Sequence, residues 1–244
     1  MIDCNTLGFN SLVDKNADRN WTPKPVDVIR NSLRIYRDVE HGYHTYNNLG
    51  YNIQYLEFLQ KEISELRIFH DGLRTMLYKN FIVHSMAIIE ALFSNLLRGK
   101  KLWPESEWKS IAKNKIDNQK EMPVADVKIK VANEVFEKVA PYKEPMTLDA
   151  IIKKVEAKKI IDDLSEQTFG RLNHFRQMRN KIHIYTTDDG LTDYNSFNLR
   201  DQLMMKDLLY SVLHSKVFYK KIGTGDPYDF LILSNDDRII LEEK

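Results

Sequence analysis

The chain has 244 residues, of which 43% are hydrophobic and 29% are charged. These proportions are typical of a water-soluble globular protein with a sizeable core, and they exclude an extended disordered chain. The formal net charge is only +1, so binding to a polyanion would depend on local clusters of basic side chains rather than on the overall field.

The cysteine content and the targeting signals limit the chemistry that a site could use and the cellular compartment of the protein. Cys4 is the single cysteine, which excludes an internal disulfide. The N-terminal sequence lacks the basic and then apolar pattern of a signal peptide, and no stretch of about 18 uninterrupted apolar residues occurs. Cys/His metal spacings and glycine-rich phosphate loops are also missing. We therefore expect a cytoplasmic protein without a metal or cofactor.

The N-terminal part of the chain is predicted to be an extension of the main domain. Residues 1–25 are polar and end in two closely spaced prolines, which disfavour helix. Apolar residues then recur at helical spacing over residues 28–42 and again over 53–72. The sequence therefore predicts that residues 1–70 form a lead-in segment followed by a helical extension.

The main domain is predicted to begin with a central helix. Between residues 73 and 97, apolar side chains occur on most sides of the helical wheel, which is typical of a helix surrounded by others. Gly99 supplies a stop signal. We expect residues 71–221 to form a helical bundle around this helix.

An insert of exposed helices is predicted within that bundle. The lysine-rich segment after Pro104 predicts a helix to about residue 115. Helical periodicity returns over residues 124–139 and 148–161, on either side of two prolines. The insert is expected to cover about residues 100–160.

The C-terminal part combines a helix with β-prone runs. A long helix is predicted over residues 197–221, and Gly223 supplies its stop signal. The β-prone runs 228–233 and 238–241 flank a Ser-Asn-Asp-Asp turn, which predicts a β-hairpin within residues 222–244. The fold class is thus mainly α, with a short C-terminal β-hairpin.

The segment before residue 185 carries the functional signal. On a helix, its apolar and basic residues separate onto two faces about a quarter-turn apart. The apolar stripe comprises Phe175, Met178 and Ile182, preceded by Leu172. The second face comprises Arg176, Arg179 and His183. An imidazole can move a proton near neutral pH and guanidinium groups bind phosphate oxygens, so this face suits chemistry on a phosphodiester.

This segment resembles the signature helix of the HEPN family, in which an arginine, usually followed by a polar residue, is separated from a histidine by four to six intervening residues. The matching residues are Arg179-Asn180 and His183-Ile184-Tyr185, since one toxin branch has a tyrosine two residues after the histidine. Three residues separate Arg179 from His183, one fewer than the usual minimum. Six separate Arg176 from His183, although Arg176 lacks the following asparagine. Either arginine could therefore be the family's.

The resemblance implies a four- or five-helix bundle that pairs with a second copy, and an endoribonuclease that needs no metal. His183 would be the general base or acid at the ribose 2′-hydroxyl, and Arg179, with or without Arg176, would hold the scissile phosphate. Asn180, Lys181 and Tyr185 would contact RNA or orient the site. The product end would be a 2′,3′-cyclic phosphate. Such a protein would be a toxin or defence effector, held in check by a regulatory protein partner.

Glu90 is the remaining candidate for the site. It lies on the central helix in a lane of small and polar residues, where a carboxylate either faces water or needs a cation. We expect it to orient an arginine of the signature helix. Two alternatives stay open: the signature face is simply solvated, or Arg179 forms a salt bridge that stabilises the bundle. The chain would then be a catalytically inactive module that binds RNA or protein, or a helical scaffold without nucleic-acid contacts.

Overall fold

A computed structural model describes residues 21–66, 70–115, 132–180 and 197–242. The helices are α1 (Val26–Ser32), α2 (Gly42–Glu65), α3 (Asp71–Gly99), α4 (Leu148–Ala157), α5 (Glu166–Asn180), α6 (Leu199–Leu213) and α7 (Asn235–Glu242). The strands are β1 (Glu105–Lys115) and β2 (Ala132–Lys143). The prediction of a mainly α fold is confirmed.

The chain divides into two compact units. One is formed by residues 100–146, and the other by the described residues of 1–99 and 147–244. Helices α1 and α2 belong to the same unit as α3, so they do not form a separate extension. Helix α4 also belongs to this helical unit, so the insert ends near residue 146 rather than near 160.

The insert contains an antiparallel pair of strands, so the helix predicted over residues 104–115 is wrong. The prediction over 124–139 is wrong for residues 132–139, which lie in β2, while residues 124–131 lie outside the described residues. Aromatic and β-branched residues such as Trp108 and Val135 favour extended backbone although both are exposed. Pro141 is tolerated because each strand of a two-stranded ribbon has a free edge.

Helix α3 is the core of the helical unit, as its apolar pattern predicts. Side chains on most of its faces are buried, including Phe81, Ile89 and Phe93. By length and composition this helix could cross a membrane, but 61% of its most apolar window is buried inside the protein. That burial is typical of a core helix in a soluble protein.

The helix predicted over residues 28–42 ends early, at Ser32. Leu33 instead bridges to Tyr219, and the buried Asn95 side chain of α3 holds the backbone of Tyr36 through two hydrogen bonds of 2.8 Å. These long-range bonds replace helical ones. Gly99 makes room for this connection, since a Cβ there would lie 2.0 Å from the Tyr36 ring.

The C-terminal predictions were wrong in two respects. Helix α6 ends at Leu213 instead of residue 221, and residues 228–242 contain a short 3-10 helix (Asp229–Leu231) and α7 in place of a β-hairpin. The Ser234 hydroxyl accepts from the Asp237 amide at 3.1 Å, while the Asp237 carboxylate accepts from the Ser234 amide at 2.9 Å. This reciprocal pair is a capping box. The expected turn is therefore a helix start.

Candidate functional site

Helix α5 carries the described part of the signature segment. It begins after Ser165, whose hydroxyl accepts a hydrogen bond from the Thr168 amide at 3.2 Å. The predicted apolar stripe faces the core: Leu172 and Phe175 are fully buried and Met178 is 7% exposed. This burial fixes the rotation of the helix and leaves its arginines at the margin of the core.

Arg179 forms an ion pair with Glu90 of α3. Its Nη1 atom lies 2.9 Å from the Glu90 Oε2 atom, and the two side chains are 28% and 31% exposed. Glu90 was expected to orient an arginine of the signature helix, and the structure shows that the two side chains are in contact. Because both groups are partly exposed, the contact is a boundary ion pair rather than a buried one.

Arg176 pairs with a different helix. Its Nη2 atom lies 3.2 Å from the Asp149 Oδ1 atom in the first turn of α4. Lys153 contacts the other oxygen of Asp149 at 2.8 Å, and this hydrogen bond, with the charge of Arg176, lowers the pKa of Asp149. Among the described residues, the buried Arg176 Nε and Asp149 Oδ1 atoms have no hydrogen-bond partner, so the two side chains are close but poorly aligned.

The structure thus places the predicted site residues in three groups. Arg179 and Glu90 are brought together, whereas Arg176 faces α4 and Asp149. Asn180 is exposed as the last residue of α5. The remaining candidates lie outside the described residues; they are Lys181, His183 and Tyr185.

The geometry leaves hydrogen-bonding capacity on Arg179. A guanidinium has five N–H donors in a planar fork, and the one contact that Arg179 makes with a carboxylate among the described residues occupies only part of it. Glu90 can hold the plane of the fork while the other donors face an anion at the protein surface. The arrangement is therefore compatible with phosphate binding as well as with a stabilising salt bridge.

Asp149 was not anticipated from the sequence. It lies 27 residues before Arg176, and its only local signals are its place in the first turn of a helix and the Lys153 four residues later. Those signals are common on helix surfaces. Its contact with Arg176 arises from the packing of α4 on α5, which short-range spacing does not report.

Two of the described histidines, His84 and His214, have structural surroundings. His84 on α3 packs edge-on against Tyr55 at 5.0 Å between ring centroids, and burial lowers its pKa. His214 lies 3.1 Å from Asp226 and stacks near Tyr210. Within the described ranges, no group of three or more His, Cys, Asp or Glu side chains is placed to hold a metal ion.

Comparison with known proteins identifies no relative. No protein-family model, curated protein or solved structure matches the chain.

Proposed function

We propose that this protein is a metal-independent endoribonuclease of the HEPN type. The contact between Glu90 and Arg179 carries the proposal, because it places an oriented guanidinium at the solvent-facing margin of the signature helix. The buried stripe of α5 supports it, since the helix is held in one rotation. The resemblance of Arg179-Asn180 and His183-Ile184-Tyr185 to the family signature supplies the chemistry.

In the proposed reaction, His183 removes the proton from a ribose 2′-hydroxyl, and the resulting oxygen attacks the neighbouring phosphorus. The bond from phosphorus to the 5′-oxygen breaks, and a proton returns to that leaving oxygen. Arg179 neutralises the charge that builds on the phosphate oxygens, with Arg176 as a second cation. The products are a 2′,3′-cyclic phosphate and a 5′-hydroxyl, so no metal or cofactor is needed.

Asn180, Lys181 and Tyr185 are proposed to bind the RNA on either side of the scissile bond. Asn180 offers an amide, Lys181 a cation and Tyr185 a ring for stacking on a base. Pairing of two copies would place two signature helices along one cleft. The protein is proposed to work in the cytoplasm as a toxin or defence effector under the control of a regulatory protein.

A catalytically inactive RNA- or protein-binding module is the second candidate. One observation favours it: both Arg176 and Arg179 already pair with carboxylates. Those pairs neutralise charge that a phosphate would otherwise meet. Such a module would keep the packing of α5 without turning over RNA.

Purified full-length protein incubated with RNA in EDTA tests the proposal. We expect cleavage that leaves 2′,3′-cyclic phosphate ends, and no cleavage of DNA of the same sequence, which lacks the attacking hydroxyl. His183→Ala should abolish cleavage, and Arg179→Ala should reduce it by at least about a hundredfold, the scale of losing one transition-state charge contact.

Arg171→Ala is the matched control, because Arg171 lies on the same helix and pairs with Asp207 at 2.7 Å. This variant should cut RNA as the unaltered protein does. Cleavage that survives in His183→Ala, or that requires a divalent metal, would contradict the nuclease proposal. RNA binding without cleavage would favour the inactive module.

A further inference from the structure

Two neighbouring stretches of the helical unit, on either side of Leu233, are held in different ways. Residues 228–233 are anchored by apolar side chains, since Tyr228 is fully buried and Leu233 is 9% exposed. Helix α7 follows directly, and none of its residues is buried. Ile239 within this helix is 54% exposed. The boundary between firmly and weakly held chain therefore falls between Leu233 and Ser234, where α7 is capped.

Polar contacts join α7 to α6. The Lys206 Nζ atom of α6 lies 3.5 Å from the Asp237 Oδ2 atom, and Lys206 is only 5% exposed. Burial lowers the pKa of Lys206, although the charge of Asp237 opposes this shift. At the surface, the Arg200 guanidinium donates to the Leu241 carbonyl at 3.1 Å. An ion pair as long as that of Lys206 offsets only part of the cost of taking the amine out of water.

A cavity of about 640 Å³ beside α7 limits the packing of this helix further. It lies among α2, α3, α6 and α7, and Asp237 of α7 forms part of its wall. Most of the wall is apolar, formed by Ile63, Leu66, Leu77, Leu199 and Leu203. Side chains next to such a space lack partners for dispersion contacts. Because segments with few buried apolar contacts open at a lower free energy than the whole domain, α7 should open before the rest of the unit.

We propose that residues 234–242 form a detachable strap, which leaves the helical unit while the chain up to Leu233 stays in place. The ion pair of Lys206 and Asp237 is its latch, because closing the strap takes the amine out of water and opening returns it. Opening also removes Asp237 from the wall of the cavity and so widens the entrance to an apolar space. The strap is separate from the signature helix, so it does not depend on the nuclease proposal.

Hydrogen exchange of the full-length protein, followed by NMR, tests the inference. The amides of residues 239–242 bond to carbonyls within α7, and a detached helix of 8 residues is too short to stay folded in water. We expect these amides to exchange at least about a hundredfold faster than the central amides of α6. The Leu231 and Ile232 amides, whose hydrogen bonds of 2.9 Å lie before the boundary, should stay slow. Exchange of residues 239–242 at the rate of α6, or equally fast exchange of Leu231, would overturn the inference.

Asp237→Asn tests the latch. The new amide oxygen can still accept from the Ser234 amide, but Lys206 loses the charge opposite it. Asp236→Asn is the matched control, since it removes the neighbouring negative charge from an exposed position in the same turn and so corrects for the helix dipole. Exchange of residues 239–242 should be at least about tenfold faster in Asp237→Asn than in Asp236→Asn, because a buried amine without a counter-ion favours the open strap.

Combining Asp237→Asn with Lys206→Met separates the latch from the cap. The double variant has no buried charge, and an apolar side chain takes the place of the amine. It should exchange at the rate of the unaltered protein or more slowly. Slow exchange of the α6 amides shows that each variant is folded. The latch is overturned if Asp237→Asn exchanges like Asp236→Asn, or if the double variant exchanges as fast as Asp237→Asn alone.

Discussion

Three arginines of α5 each pair with a carboxylate from a different helix. Arg171 contacts Asp207 of α6, Arg176 contacts Asp149 of α4, and Arg179 contacts Glu90 of α3; these pairs are 2.7, 3.2 and 2.9 Å long. Partly exposed ion pairs stabilise a fold by only about 0–1 kcal/mol each. Removing any one of the three ion pairs should therefore change the stability by a similar, small amount. A pair with a functional role would be recognised because its removal lowers activity more than removal of the others.

The proposed nuclease function predicts that Glu90→Gln lowers RNA cleavage by about ten- to a hundredfold, because a small displacement of the Arg179 fork would misplace the phosphate. The free energy of unfolding should fall by no more than about 1 kcal/mol. Cleavage rates and urea unfolding measured on the same preparations check both expectations.

Asp207→Asn is the control for that variant, since it weakens the equivalent pair with Arg171 on the same helix. It should keep the cleavage rate of the unaltered protein. Equal losses of activity in Glu90→Gln and Asp207→Asn would assign Glu90 a purely structural role.

His84 gives the fold a dependence on pH. Burial lowers its pKa below the ordinary value of 6.5, so the unfolded chain binds this proton more readily than the folded one. The stabilising contribution is complete above pH 6.5 and is lost as the pH falls from there toward the folded pKa. His84→Gln should flatten the decrease in unfolding free energy over this window, as measured by urea unfolding at several pH values. His44→Gln, at an exposed position of α2, should leave the decrease unchanged.

The sequence predicted part of this site at the residue scale. Periodicity alone placed Leu172, Phe175 and Met178 on a buried face, and the polar lane of α3 indicated that Glu90 meets a cation. Asp149 could not be found this way. Its contact with Arg176 joins positions far apart in the chain, and local spacing carries no information on which helices will be neighbours.

At the scale of elements, the predictions failed where local signals have two meanings. The Ser-Asn-Asp-Asp segment suits a hairpin turn and also a helix capping box, and the structure uses the second. The segment after Pro104 combines lysines with Trp108 and Ile111, which occur in exposed helices and exposed strands alike. A long apolar helix such as α3 has no comparable alternative, so its limits were predicted well.

Helix α4 offers a test of local capping. The Thr147 hydroxyl accepts from the Ala150 amide at 3.2 Å and satisfies one of the free donors at the helix start. Thr147→Ala should lower the free energy of unfolding by about 1 kcal/mol. For a domain of this size, Tm should fall by about 2–4 °C in a calorimetric scan. Thr147→Ser keeps the oxygen and should retain most of the stability; an equal loss in both variants would mean that the methyl group, not the cap, is responsible.

At the scale of the whole molecule, the burial of apolar side chains separates the two units. The largest fully buried side chains all come from the helical unit, among them Tyr228, Phe81 and Phe175. In the insert, Trp108, Ile111 and Phe136 are about half-exposed, so its described residues form no comparable core. The stability of the helical unit should therefore not depend on the insert, residues 100–146.

Replacing residues 105–143 by a short glycine-serine linker tests this independence. The start of β1 and the end of β2 are neighbours, because Glu105 pairs with Lys143 and the Glu144 amide donates to the Pro104 carbonyl at 3.0 Å. A few residues can therefore span the gap, and the closure cost of a loop changes only slowly with its length. We expect the shortened protein to keep its helical circular dichroism and a cooperative thermal transition near that of the full chain. A second linker of twice the length distinguishes strain at the junction from loss of the two strands themselves. Unfolding with both linkers would mean that the insert is needed for the helical unit to fold.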